Sequence, residues 1–245
     1  MMINMEHVQK HFLLNGQRIL VLEDITLQVK EGEFVALLGP SGCGKSTLLS
    51  LLAGYFPPDK GSIKLTGRLG YMPQRDMLLP WLTIVENACL PVAVNPKADL
   101  AAARDKVAGL LPLFGLTGFG GSLPGQLSGG MKQRAALLRT YMMGGDFWLL
   151  DEPFGSLDTL TKESLQEWFI NLHREIKSGL LFVTHDITEA INLAKRIYAL
   201  SPRPGRIIGE WQVEEEISLK GRIGLKKEIL AVLGGQNNKI RQIAH

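Results

Sequence analysis

Eight consecutive residues, Gly39-Pro40-Ser41-Gly42-Cys43-Gly44-Lys45-Ser46, fit the spacing GxxxxGK[ST] without a gap. Each residue type has a task in that spacing. Glycines let the backbone curl until successive N–H groups point at one anion. A helix starting at the end of the loop adds the partial positive charge of its N-terminus. The Lys45 ammonium is expected to reach the β- and γ-phosphates of a nucleotide, and the Ser46 hydroxyl to ligate Mg²⁺. Thr47 can bond the α-phosphate. Taken alone, the loop specifies a nucleoside triphosphate and nothing narrower.

Acids and sensors suited to such a ligand follow apolar runs elsewhere in the chain. Phe147-Trp-Leu-Leu runs into Asp151 and Glu152. A strand ending there delivers both carboxylates to the sheet edge where α/β folds bind ligands. Asp151 is expected to hold Mg²⁺, through water or through its contact with Ser46. Glu152 is expected to orient or activate the attacking water as general base. Gln74 ends Tyr71-Met-Pro-Gln74, and its amide oxygen can reach Mg²⁺ or the water. His185 ends Leu181-Phe-Val-Thr-His185 and can hydrogen-bond the γ-phosphate.

A second anion site is written in Leu127-Ser-Gly-Gly-Met-Lys-Gln-Arg134. Ser128, Gly129 and Gly130 precede a helical pattern, so a hydroxyl and free N–H groups converge there. One nucleotide needs only one phosphate loop. The second helix start is therefore expected to serve a nucleotide bound to another copy.

The elements that must position these groups are partly readable. Phe34–Leu38 is a short continuous apolar run, typical of a strand buried on both faces. With the glycine loop and the apolar segment Thr47–Ala53, the order is strand, loop, helix. Val8–Leu14 and Leu22–Val29 alternate in polarity, with the turn signal Asn15-Gly16 between them. Further strands are predicted at 62–65, 69–72, 147–150, 180–183 and 196–200. Helices are predicted near 100–114, 130–143, 161–176 and 187–194. The span 76–145 is mostly helical and reads as an inserted subdomain between core segments 1–75 and 146–215, with a tail over 216–245.

Bulk properties fit this picture. The 245 residues suffice for one large α/β domain or a core with a small insertion. A net charge of +3 is too small to argue for nucleic acid by itself. No apolar run approaches the roughly 18 residues that span a bilayer. Met1–Lys10 lacks the features of a signal peptide, so a cytoplasmic chain is expected, with any membrane role supplied by a partner. Cys43 and Cys89 are expected as reduced thiols, and the position of Cys43 at a helix start favours its thiolate. The tail carries Lys220, Arg222, Lys226, Lys227, Lys239 and Arg241 against Glu228 alone. Two readings stay open there: a solvated amphipathic helix, or a basic face for anionic lipid or a partner.

The order of motifs resembles the ABC (ATP-binding cassette) transporter ATPase family over nearly the whole chain. Gly39–Ser46 resembles Walker A, Gln74 the Q-loop, Leu127–Arg134 the LSGGQ signature and Leu149–Glu152 Walker B. Ser156-Leu157-Asp158 resembles the D-loop, His185 the switch histidine and Phe12 the aromatic that stacks on adenine. Met131 departs from the glutamine of the signature. The resemblance implies an α/β P-loop NTPase (RecA-like) core with an N-terminal antiparallel β subdomain and an inserted α-helical subdomain. It also implies ATP and Mg²⁺ as ligands. Asp76–Thr83 and Leu200–Arg206 look like the nitrate/sulfonate/taurine group of importer ATPases, whose relatives are thought to carry vitamin precursors.

The family further implies a head-to-tail homodimer with two ATP molecules between the chains and Asp158 at the shared interface. Its other implied partners are a transmembrane permease and a solute-binding protein. The apolar stretch Met77–Trp81 keeps two readings: cover for the subdomain core, or a groove that receives a short helix of the permease. No direct contact with nucleic acid or with the transported substrate is expected, and neither is an appended regulatory domain. The location implied is the cytoplasmic face of the membrane. The alternative is a soluble cassette ATPase acting on nucleic acid or the ribosome; such proteins usually carry two cassettes or a long coiled-coil insertion. A third reading is another phosphate-loop enzyme, such as a GTPase or a small-molecule kinase; against the GTPase, Asn238-Lys-Ile-Arg241 does not match the guanine-reading NKxD.

Overall fold

The computed structural model describes residues 1–155, 157–214 and 217–243, with side chains up to residue 235. Ser156 of the expected D-loop lies outside the described residues, as do the side chains of Lys239 and Arg241. The chain begins with β1 (Met2–Leu14), β2 (Gln17–Lys30), β3 (Phe34–Leu38), α1 (Lys45–Leu52) and β4 (Lys60–Leu65). It continues through β5 (Leu69–Met72), α2 (Ile84–Ala93), α3 (Leu100–Leu110), α4 (Gly129–Met142), β6 (Phe147–Asp151) and α5 (Thr159–Ile176). Then follow β7 (Gly179–Thr184), α6 (Ile187–Leu193), β8 (Arg196–Leu200), β9 (Ile207–Gln212) and α7 (Leu219–Ile243). Two compact units result: Met1–Gly67 with the chain from Gly179 on, and Arg68–Ser178.

In the first unit, β1 and β2 form an antiparallel hairpin closed by Asn15 and Gly16, at φ 50° and 77°. Two successive positive φ values suit a turn whose twist matches the strands. β4 pairs with the other edge of β1. Ile3, Met5 and Val8 of β1 face inward with Val29, Leu27 and Ile25 of β2, their register partners. Strands β7, β3 and β8 run parallel in that order, and β9 pairs antiparallel with β8. All five residues of β3 are buried, as are those of β7 and β8. Burial of each large apolar side chain contributes about 1.5–3 kcal/mol, so the strand before the phosphate loop is held firmly.

In the second unit, β5 and β6 pair in parallel, with Leu69 opposite Phe147 and Met72 opposite Leu150. α2 packs on α3 and α4, and α4 on β5. The core is aromatic. Phe114 meets Tyr141 and Trp168 edge-on at 5.7 and 5.9 Å, and Phe154 meets Phe169 at 5.7 Å.

Several elements depart from the sequence expectation. β1 starts at Met2 rather than Val8, and β9 was not anticipated. α3 stops at Leu110 rather than Phe114, with Pro112, which lacks an N–H, just beyond. The tail is a helix over Leu219–Ile243. Lys226 donates to Thr188 Oγ1 at 2.8 Å and Arg222 to Asn192 Oδ1 at 2.5 Å, so two of its cations bond back to their own unit.

Candidate active site

In the first unit the buried strand β3 ends at Leu38, and α1 starts at Lys45 with Gly44 as its N-cap. Gly44 has φ 111° and ψ 9°, provides no side-chain cap, and no acid occupies the first turn. The first N–H groups of α1 therefore lack an internal side-chain acceptor, the arrangement that receives an anion. The glycines are required by space as well as by dihedral. A Cβ on Gly44 would lie 2.7 Å from Leu22 Cδ2, and one on Gly39 would lie 2.8 Å from Cys43 Sγ. The Lys45 side chain is buried and its Nζ donates to the carbonyls of Gly39 and Pro40 at 2.8 and 3.1 Å. That ties the ammonium to the backbone of the loop's first two residues.

Cys43 corrects one expectation. Its thiol is 1% exposed and burial pushes its pKa up, against a smaller lowering by Lys45. The helix start does not make it a reactive thiolate, because desolvation of the charged form outweighs the nearby cation.

His185 follows β7 and is exposed. Its turn is fixed from both sides. Thr184 Oγ1 donates to buried Glu189, and Asp186 caps α6 by accepting from Thr188 N and Glu189 N at 2.9 and 3.2 Å. His185 shares a cavity of about 170 Å³ with Gly39 and Pro40 of the phosphate loop. The structure thus brings this sensor and the loop together.

Phe12 lies on β1 and is 39% exposed. It lines a surface cavity of about 500 Å³ with Lys10, His11, Leu13, Arg18, Phe56 and Asp59. Phe56 stands edge-on to Phe12 at 5.3 Å, and Lys10 Nζ lies 5.1 Å from the Phe56 ring and 5.7 Å from the Phe12 ring. Lys10 and Phe56 were missed in the sequence. Nothing in the spacing of residues 46 apart announces that they meet. The Asp59 carboxyl is held below its ordinary value of 3.8, first by the His11 backbone N–H donating to it at 2.5 Å.

In the second unit β6 delivers Asp151, 4% exposed, and then Glu152. Glu152 has φ 48°, a left-handed conformation that a residue with a Cβ adopts only at a cost. Gln74 Nε2 lies 3.5 Å from Glu152 Oε2, so these two expected site residues come together. Gln133 of α4, 5% exposed, donates to the carbonyl of Pro153 and fixes the segment just after the carboxylate. That role of Gln133 was not visible in the sequence.

Ser128 is the N-cap of α4, and its Oγ accepts from Met131 N at 3.3 Å. Gly129 and Gly130 follow without an acid in the first turn. A Cβ on Gly130 would lie 2.9 Å from Thr161 Cγ2. Ser128 and Gly130 line a cavity of about 260 Å³ with Met131, Arg134, Thr161, Ser164 and Leu165. Asp158 caps α5 beside it by accepting from Thr161 N at 3.1 Å; hydrogen bonds to Thr161 chiefly lower its pKa.

The expected apolar stretch splits in two. Met77 and Trp81 are 59% and 71% exposed, whereas Leu78 turns inward. Arg139 donates to the carbonyls of Met77 and Asp76 at 2.6 and 2.5 Å. Fully buried Asn87 donates to the carbonyls of Leu79, Leu82 and Thr83 and accepts from Leu79 N. The loop is therefore held in shape while presenting two apolar side chains.

Residues 22–155 match the family model described as ABC transporter. The chain belongs to the ABC transporter ATP-binding family. The cassette is 43% identical over 224 residues to the formylaminopyrimidine import ATP-binding protein ThiZ of Halalkalibacterium halodurans, covering 87% of this chain and 90% of the relative. It is 40% identical over 215 residues to the aliphatic sulfonates import ATP-binding protein SsuB of Bacillus cereus, covering 84% of each. Among solved structures, the dimeric MJ0796 cassette superposes with a TM-score of 0.75 at 30% identity, over 86% of this chain and 99% of that one. The same cassette bound to ADP and Pi after hydrolysis matches at 28% identity with a TM-score of 0.75, again over 86% and 99%. An ATP-hydrolysing α/β cassette is thus shown by fold and sequence together. No helix among the described residues is long and apolar enough to cross a membrane.

Proposed function

We propose that this cassette powers import of a small solute through a separate permease. The solute class is of the nitrate, sulfonate, taurine or vitamin-precursor kind. Relatives whose names specify import of sulfonates, taurine and formylaminopyrimidine support that class. The observation that carries the reading is a pair of helix starts, Lys45 of α1 and Gly129 of α4. Both lack a first-turn acid, and both are lined by glycines whose Cβ positions are filled. Each is a built anion site, and a chain using one nucleotide needs only the first.

In this reading Lys45 and the N–H groups of residues 39–47 bind the phosphates, and Phe12 stacks on adenine. Ser46, Asp151 and Gln74 supply a hydroxyl, a carboxylate and an amide oxygen, the hard donors that suit Mg²⁺ beside phosphate oxygens. When bound, Mg²⁺ neutralises charge building on the phosphates. Glu152 accepts a proton as water attacks the γ-phosphorus and the bond from that phosphorus to the β-phosphate oxygen breaks, leaving ADP and phosphate, while Gln74 orients the water and His185 bonds the γ-phosphate. Ser128 and Gly130 of a second copy, arranged head to tail, close on the same γ-phosphate, with Asp158 at the junction. Hydrogen bonds to a charged group contribute roughly 1.5–3 kcal/mol each, so two give about 3–6 kcal/mol per site. Losing them on hydrolysis shifts closure by roughly 10²–10⁴-fold. A clamp of that strength drives a permease between two states.

Met77 and Trp81 form the surface offered to the permease, which would hold the cassette at the inner face of the membrane. A solute-binding protein completes the system. Reconstitution of the cassette with its permease in vesicles tests the reading. Solute uptake should require ATP on the cassette side and vanish in Lys45→Ala. Uptake that persists in Lys45→Ala, or a cassette that never copurifies with membrane protein, overturns it.

A further inference from the structure

The outer wall of the phosphate loop is built by a segment far away in sequence, the turn between β8 and β9. Arg203 Nε and Nη2 both lie 3.3 Å from the Gly42 carbonyl oxygen, to which they donate. Gly205 is buried against the next carbonyl: a Cβ there would lie 2.4 Å from Cys43 O. The turn is anchored in turn. Gly205 N donates to Val21 O and Gly205 O accepts from Glu23 N, each at 2.9 Å. Arg206 bonds Glu23 at 2.6 Å. Ser201, 7% exposed, donates to the Pro204 carbonyl at 2.8 Å and accepts from Arg206 N at 3.0 Å.

A trans peptide is planar, with its C=O and N–H on opposite sides. Fixing the Gly42 carbonyl toward Arg203 fixes the Cys43 N–H away from it. Seating the Cys43 carbonyl on Gly205 does the same for the Gly44 N–H. The Cys43 N–H, which also donates to Pro40 O at 3.4 Å, and the Gly44 N–H are thereby held at a point where Gly42 and Gly44, at φ 76° and 111°, give the backbone its greatest freedom to turn.

We infer that Arg203 and Gly205 are positioning residues for ATP: the 201–206 turn is a strut that holds the Gly42–Gly44 peptides in their phosphate-binding orientation. Arg203 acts on the nucleotide through the loop backbone, not by touching phosphate. This rests on the reading of residues 39–47 as the nucleotide site.

The test uses the full chain and a fluorescent ATP analogue, with melting of the nucleotide-free protein as a control. Arg203 is exposed, so Arg203→Ala should melt near wild type. Its Kd should rise about 3–10-fold, the range expected when one ordinary net hydrogen bond is lost at the surface. A preset backbone is insensitive to salt, so the ratio of variant to wild-type Kd should hold between 50 and 500 mM salt, over which the Debye length falls about threefold. Gly205→Ala, which changes no charge, should weaken binding more strongly, about 10-fold or beyond. KM for ATP should rise in both variants with kcat at saturation kept within about twofold. An unchanged Kd in Arg203→Ala overturns the proposal. So does a ratio that collapses toward one at high salt, which assigns Arg203 a through-space charge effect. Lys45→Ala separates the two layers: if it too binds ATP normally, the nucleotide-site reading fails and not the strut alone.

Discussion

Replacing Gly44 by alanine adds one methyl group where the loop has no room for it. At φ 111° the new Cβ enters a conformation that costs a side-chain-bearing residue about 1–2 kcal/mol. It also falls 2.7 Å from Leu22 Cδ2 and 3.3 Å from Val21 Cγ1 and Val21 O. Leu22 is fully buried, so it has little freedom to withdraw, and overpacking of this kind costs about 1–3 kcal/mol. The total is about 2–5 kcal/mol. If the loop relaxes, that energy must be restored on binding, and ATP affinity falls at least about 30-fold. If it does not relax, the strain lowers the melting temperature by roughly 2–4 °C per kcal/mol. Titration calorimetry with ATP and a thermal melt of the free protein together capture both routes. An affinity within about threefold of wild type, with an unshifted melt, would mean that the loop does have room for a Cβ at residue 44.

Two further outcomes follow from other parts of the chain. Asn87→Ala should lose about 1–3 kcal/mol in urea unfolding, because the part-buried N–H and C=O of Leu79 lose the partner that fully buried Asn87 supplies, while ATPase of the detached cassette stays near wild type. The Asp59 carboxyl has a lowered pKa, so its stabilising effect is complete above 3.8 and is lost as pH falls through the lower folded value. Acid unfolding should therefore show the gap between wild type and Asp59→Asn closing below that pH. A gap that widens toward acid reverses the sign and contradicts the assignment.

What the sequence disclosed, and what it concealed, follows from the range of the interactions. β3, α1 and the loop between them are local: five apolar residues, then glycines at fixed spacing, then an apolar stripe. β9 is an edge strand whose exposed Glu210 and Gln212 break any simple pattern. α2 could have been placed, since Thr83 and Glu86 form a reciprocal capping box and that spacing is a known start signal; Pro91 inside the helix obscured it. The left-handed backbone of Glu152 has no sequence mark, because the residues enriched at positive φ are glycine, asparagine, aspartate and histidine. The grouping of Phe12 with Lys10 and Phe56 depends on where two separate segments fold back. The high pKa of Cys43 was misjudged for a similar reason: a helix start is visible in sequence, but burial is not.

In the proposed clamp two copies share each nucleotide, one giving the phosphate loop and the other the α4 start. Glu152→Gln keeps the side chain's shape and removes its capacity to take a proton, so it should bind ATP without turning it over. Sedimentation of that variant with saturating Mg-ATP should show twice the 27.0 kDa mass of one chain, reverting to one on exchange into ADP. A single-chain mass in saturating Mg-ATP, with nucleotide occupancy confirmed, contradicts the shared site.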